Sequence, residues 1–217
     1  DKIWHLACPA SPVHYQYNPI KTTKTSFMGT YNMLGLAKRV GAKILLASTS
    51  EVYGDPEVSP QIESYKGSVN TTGIRSCYVE GKRFAETLCA YFQRLYSVDI
   101  RIARIFNTYG PRLNINDGRV ISNFIKQCLT GDKLTIYGDG RQTRSFCYVS
   151  DLVEGLLVLM ESNYNYPINL GNEEEISIIK LADLIKNIIK KDVIFEYRNL
   201  PLDDPQRRKP CLNKSKK

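Results

Sequence analysis

The 217-residue chain has little of what several common site types need. No stretch reaches the roughly 18 consecutive apolar residues of a membrane-spanning helix. Two histidines, His5 and His14, are present, which argues against a histidine-based zinc site or a Ser-His-Asp triad. The six cysteines (8, 77, 89, 128, 147 and 211) lie far apart, with no CxxC and no metal-ligand spacing. They read as free thiols in a reducing compartment. Neither G-x-G-x-x-G nor G-x-x-G-x-x-G occurs, and "GDG" at 138–140 is too short to replace them. A turn that grips a dinucleotide pyrophosphate is therefore expected outside the chain as printed. The opening Asp1-Lys2-Ile3-Trp4 has no Met and no basic-then-apolar leader. It reads as the middle of something, and a cytoplasmic setting is the expectation.

What is present is ordinary for a globular protein: 42% hydrophobic and 24% charged residues. The net charge of +8 suggests an anionic partner, although part of it sits in the tail "QRRKPCLNKSKK". No element interleaves basic and aromatic residues as a nucleic-acid surface does, so no nucleic acid is expected as partner. Strand-like runs at 3–7, 43–48, 100–106, 133–137, 168–170 and 193–197 alternate with helix-like stretches near 21–40, 76–96, 119–130, 150–162 and 177–190. Gly41 closes the first helix, Ser150-Asp151 reads as an N-cap, and Ile178, Leu181, Leu184, Ile185 and Ile188 recur on one helix face. Such alternation predicts an α/β fold, an open parallel sheet with crossover helices. Ligands of such sheets sit beyond the carboxyl ends of the strands. That rule brings Ala7-Cys8, the 49–51 segment and the 107–110 segment to one rim.

"STSEVYGDP" then draws notice, because Thr49, Ser50 and Glu51 stand between the apolar run 44–47 and the turn residues Gly54, Asp55 and Pro56. Tyr78 and Lys82, four apart on a predicted helix, share a face. An ammonium beside a phenol lowers its pKa, which suits the pair to taking a proton from a sugar hydroxyl. Thr49 can hydrogen-bond the same oxygen, completing a Thr-Tyr-Lys set. Glu51 has a plainer alternative as a cap of the following turn.

"STSEVYGDP", "CYVEGKR", "RIARIFNTYGPR", "DGRVISNFI", "GDGRQTRSFCYVSDLVEGL", "INLGN" and "DDPQRRKP" stand in the order found in extended short-chain dehydrogenases that act on nucleotide sugars. With "HLACPASP" and "GTYNMLGLAKRVGA", the chain most resembles the UDP-glucuronate decarboxylases among them. The resemblance implies a doubly wound, Rossmann-like sheet that lacks its N-terminal Gly-rich βαβ part. Residues 1–110 would then be the later part of the NAD-binding domain, and 111–217 mainly the nucleotide-sugar region, interleaved with sheet elements. It also implies NAD as cofactor, no metal, UDP-glucuronate or a related nucleotide sugar as substrate, and a homodimer through helices 21–40 and 76–96. In that chemistry C4 is oxidised, carbon dioxide leaves from the resulting β-keto acid, C5 is protonated and C4 is reduced again.

Residue by residue, the resemblance assigns Tyr78 as base, Lys82 as its modifier and ribose ligand, and Thr49 as partner of the C4 oxygen. Ser50 and Glu51 serve decarboxylation and protonation, with Arg208 near the carboxylate. Leu6, Thr25 and Thr108 would join Tyr78 and Lys82 around the cofactor. Lys24, Asn32, Asn107, Arg119, Tyr137 and Arg144 would contact substrate, the two arginines facing the pyrophosphate. Two alternatives stay open: Tyr137 as a core residue rather than a uracil neighbour, and "GDGRQTRSF" as a plain hairpin with solvated arginines. Val79, Lys66 and Thr71-Thr72 depart from the family pattern, which puts the shape of loop 57–75 in question. Ser50-Glu51 follows the catalytic Thr where sugar-nucleotide dehydratases typically carry Asp-Glu, which favours decarboxylation. A 4,6-dehydratase or 4-epimerase of the same superfamily, and a non-catalytic remnant unable to hold NAD, are the competing readings.

Overall fold

A computed structural model of the chain describes residues 1–201, 205 and 207–216. Its central element is a four-stranded parallel sheet, in the order β1 (Lys2–His5), β2 (Lys43–Thr49), β3 (Ile100–Ile105) and β8 (Pro167–Leu170). Alternate side chains of a strand point to opposite faces, and β2 uses both. Ile44 and Leu46 face α3 (Thr30–Val40) and α4 (Ser76–Tyr96), packing with Leu34, Ala37, Ala85 and Cys89. Leu45 faces the other way, joining Ala103 of β3 and Leu152, Leu156 and Met160 of α6 (Val149–Glu161). A strand buried on both faces reads as a continuous apolar run, which is the character of "ILLA".

The first predicted helix, 21–40, is longer and divided. A short α1 (Pro12–Tyr17) precedes it, and α2 (Pro19–Lys24) starts where the Asn18 side chain accepts from the Lys21 N–H at 2.9 Å. A π-helical turn (Thr25–Gly29) then leads into α3, which ends at Gly41 in the left-handed conformation (φ 64°). Neither the early start nor α1 follows from hydrophobic spacing, because both are begun by Pro at the first helical position. The N-cap expected at Ser150-Asp151 lies elsewhere. Helix α6 begins at Val149 with Tyr148 in the cap position, and the Ser150 hydroxyl engages the Asp151 carboxylate at 3.1 Å instead.

The remaining elements are β4 (Thr108–Tyr109), α5 (Val120–Thr130), β5 (Leu134–Tyr137), β6 (Thr143–Ser145), β7 (Cys147–Tyr148), β9 (Glu175–Ser177), α7 (Ile178–Ile189), β10 (Phe195–Arg198) and β11 (Arg207–Arg208). Helices α5 and α7 enclose a second core with β5 and β10, through Phe124, Cys128, Leu134, Ile136, Leu181 and Ile185. "GDG" does not make a hairpin. Strand β5 pairs in parallel with β10, whereas β6 pairs with β9 and β11. Gly138 (φ 63°) and Gly140 (φ 74°) turn the chain out of one sheet and into the other.

Candidate active site

The carboxyl ends of β1, β2 and β3 and the start of α4 surround a cavity of about 700 Å³. Ligand pockets commonly fall between about 300 and 1,000 Å³. Twelve of the candidates line it: Leu6, Thr49, Ser50, Glu51, Tyr78, Lys82, Asn107, Thr108, Arg119, Tyr137, Arg144 and Arg208. Lys24, Thr25 and Asn32 are outside that lining. Lys24 and Asn32 are exposed, and the Thr25 hydroxyl donates to the Lys21 carbonyl at 2.8 Å.

The polar stretch "STSEVYG" has a local structural role. Beyond β2 the backbone closes a 3-10 turn (Ser50–Tyr53), whose first orphan donor, the Glu51 N–H, is accepted by the Thr49 hydroxyl oxygen at 3.2 Å. The cap is therefore Thr49, which frees the Glu51 side chain for other contacts. Its Oε1 lies 3.1 Å from Arg75 Nη2 and 3.4 Å from Arg208 Nη2. All three side chains are about nine-tenths buried. One carboxylate between two guanidiniums leaves the cluster with one net positive charge.

Helix α4 delivers Tyr78 and Lys82 to the same wall, both buried. Lys82 Nζ donates to the Ala47 carbonyl at 2.7 Å and stands 5.9 Å from the Tyr78 ring centroid. The expectation that Lys82 lowers the Tyr78 pKa does not describe this structure. Burial raises it first and the Glu51 charge raises it further, against a hydrogen bond with Thr49 that lowers it. Burial likewise pulls the Lys82 ammonium down. Behind Tyr78 lies Tyr15, stacked on it at 5.0 Å and 3° between ring planes.

Around the rest of the cavity, Arg119 forms a bidentate pair with Asp117, one contact being 3.1 Å. Arg144 donates to the Thr143 carbonyl at 2.8 Å, and Tyr137 is partly exposed at the cavity wall rather than in the core. A nicotinamide dinucleotide asks for donors to its ribose hydroxyls and an apolar wall for its ring. Lys82 carries three N–H donors and among the described residues spends one, on Ala47. The others are available to ribose hydroxyls beside Tyr78, and Leu6 adds an apolar wall. The residues present thus fit the ribose and nicotinamide end of such a cofactor.

The model of the NAD dependent epimerase/dehydratase family matches residues 1–171. The chain belongs to that family. Among curated members of the epimerase/dehydratase family, UDP-glucuronic acid decarboxylase 6 of Arabidopsis thaliana is 62% identical over 216 residues, all of this chain and 63% of the relative. UDP-glucuronic acid decarboxylase 1 of Xenopus tropicalis is 60% identical over all of this chain and 51% of its own length. The chain therefore spans only half to two thirds of these relatives. Among solved structures, the UDP-N-acetylglucosamine 4-epimerase of Methanobrevibacter ruminantium M1, in complex with UDP-N-acetylmuramic acid, superposes with a TM-score of 0.92 at 27% identity. That match covers 100% of this chain and 69% of the epimerase. The Bacillus cereus UDP-glucuronic acid 4-epimerase, in complex with UDP-glucuronic acid and NAD, gives 0.87 at 28% identity over 100% of this chain and 68% of that one. Its Rossmann-type relatives agree with the parallel sheet seen here.

Within this epimerase/dehydratase chain, two site residues escaped sequence reasoning. Arg75 precedes Tyr78 by three positions, so one helical turn sets both on the same side; "GIRSCY" carried that signal. Tyr15 had none, since its stacking partner lies 63 residues away and only the tertiary fold joins them.

Proposed function

We propose that the whole protein to which this chain belongs is an NAD-dependent UDP-glucuronate decarboxylase that yields UDP-xylose through a 4-keto sugar. The observation that carries the reading is the Arg75–Glu51–Arg208 cluster set beside Thr49 and Tyr78 on one cavity wall. Relatives that bear the decarboxylase name at around 60% identity support it.

In this reading NAD, when bound, accepts hydride from C4 and returns it. The chain's own residues do the rest. Thr49 and Tyr78 hold the C4 oxygen, and Tyr78 removes its proton. A phenol held above its usual pKa by burial and by Glu51 is a strong base once ionised, and a cationic cofactor, when bound in the same cavity, would favour that ionisation. Lys82 holds a ribose. The net positive charge of Arg75 and Arg208 over Glu51 draws in the sugar carboxylate, and Ser50 orients it. When carbon dioxide departs, the electron pair remains on the sugar as an enolate, and Glu51 is the carboxylate placed to relay a proton from water to C5. Asn107, Tyr137, Arg119 and Arg144 hold the nucleotide, the last two through pyrophosphate oxygens.

The proposal also takes residues 1–110 as the later part of the cofactor domain and 111–217 as mainly nucleotide-sugar region. It includes a homodimer, for which exposed Phe27 of the π-helical turn, Tyr31 of α3, and Phe84 and Tyr91 of α4 are the apolar surface. A cytoplasmic setting suits six free thiols; no described helix is long and apolar enough to cross a membrane.

Incubation of the protein with carboxyl-labelled UDP-glucuronate and NAD tests the reading. Release of labelled carbon dioxide with UDP-xylose is expected. Conversion to UDP-galacturonate without gas release would make it an epimerase, and a 4-keto-6-deoxy product from UDP-glucose a dehydratase. Absence of NAD binding by calorimetry would leave the non-catalytic remnant.

A further inference from the structure

A second cavity, of about 330 Å³, meets the first at Glu51, Arg75 and Arg208. Its other walls include Asp55, Ser68, Asn70, Ser76 and Val79. These residues are graded by depth. Asp55, Ser68 and Asn70 are exposed, Ser76 is half-buried, and Val79, Glu51 and Arg208 are buried. This second, partly polar cavity, lined in part by exposed residues, thus shares the three cluster residues with the main cavity. Arg208 is nine-tenths buried, yet its Nε has no hydrogen-bond partner among the described residues and its Nη2 has only the 3.4 Å ion pair with Glu51. Buried guanidinium donors are normally satisfied by protein, water or ligand, so the junction is built to receive a small polar molecule.

We infer that this second cavity is the port through which Glu51 exchanges its proton with solvent and carbon dioxide escapes while the nucleotide sugar fills the main cavity. The inference rests on the decarboxylase reading. That reaction places two demands on one carbon. The bond from C5 to its carboxylate breaks, carbon dioxide departs with the carboxyl carbon, and the bonding pair stays on the sugar. A proton from solvent water then reaches the Glu51 carboxylate, which passes it to C5 and returns to its ion-paired form. With sugar and cofactor occupying the main cavity, both small molecules need another route, and the second cavity is also lined by Glu51.

The test introduces Ser76→Cys and pulses the protein with methyl methanethiosulfonate, reading each thiol by peptide mass. Cys8, which lines the main cavity, is the internal reference. Saturating UDP-glucuronate is expected to slow labelling of Cys8 at least tenfold and to leave the introduced thiol within twofold of its unliganded rate. The adduct at position 76, or Ser68→Trp at the mouth, is expected to lower kcat at least tenfold with KM for UDP-glucuronate within twofold, and to slow deuterium uptake at C5 from heavy water in proportion. An introduced thiol that does not label, or that UDP-glucuronate protects as it protects Cys8, overturns the port. So does an unchanged kcat in both blocked forms. A Cys8 that UDP-glucuronate fails to protect overturns the reading of the main cavity, and the port with it.

Discussion

Replacing Glu51 by Gln tests the central cluster most directly, because it removes one charge and almost no volume. At an effective dielectric of about 20, contacts of 3.1 and 3.4 Å each carry roughly 5 kcal/mol of Coulomb attraction. Most of this is offset by the desolvation of three nearly buried ions, several kcal/mol apiece. The net effect of breaking a buried pair is about 3–5 kcal/mol. The variant belongs near the lower end, since the Gln carbonyl still accepts one hydrogen bond. A loss of about 3 kcal/mol should lower the melting temperature by roughly 6–12 °C in a chain of this size. Urea unfolding should show a lower midpoint at unchanged slope, the sign of altered stability rather than altered compactness. Adding Arg75→Met should restore at least about 1 kcal/mol, because it removes one of two like charges left facing each other. A loss below about 1 kcal/mol for Glu51→Gln, or further destabilisation by Arg75→Met, would refute the cluster as the reason these three side chains lie together.

Tyr78→Phe keeps the stack on Tyr15 but removes the phenol; kcat should fall by about 10²–10⁴, with UDP-glucuronate affinity by calorimetry nearly unchanged. Gly54→Ala should yield little soluble protein, since Gly54 has φ 66° and an added Cβ would lie 1.7 Å from the Ser68 carbonyl oxygen; circular dichroism of any soluble fraction checks this. Stability should also fall in alkali. Burial raises the phenol pKa of Tyr53 to about 12 and also raises those of Tyr15 and Tyr78. Groups raised in the folded state contribute stability that is whole below their unfolded pKa near 10 and is lost as pH rises toward the folded value. The urea midpoint should therefore drop from about pH 10 upward, and Tyr53→Phe should make the decline shallower; a flat profile to pH 12 would contradict the burial of these phenols.

The sequence by itself determined the layers and the rim. "ILLA" was legible as a doubly buried strand because its lack of alternation has one common physical cause. The α/β order placed Thr49–Glu51 and Asn107-Thr108 at strand ends, and a four-residue spacing put Tyr78 and Lys82 on one helix face. These are local rules, each acting within a turn or a strand. What only the tertiary structure decided depends on long-range contact. Arg208 reaches Glu51 across 157 positions, and Tyr15 reaches Tyr78 across 63. The two strands flanking "GDG" part into different sheets because each finds a better partner elsewhere in the chain. The Tyr78 shift is upward rather than downward for the same reason. Periodicity places a lysine near a phenol, but burial and a carboxylate from another element set the field that the phenol feels.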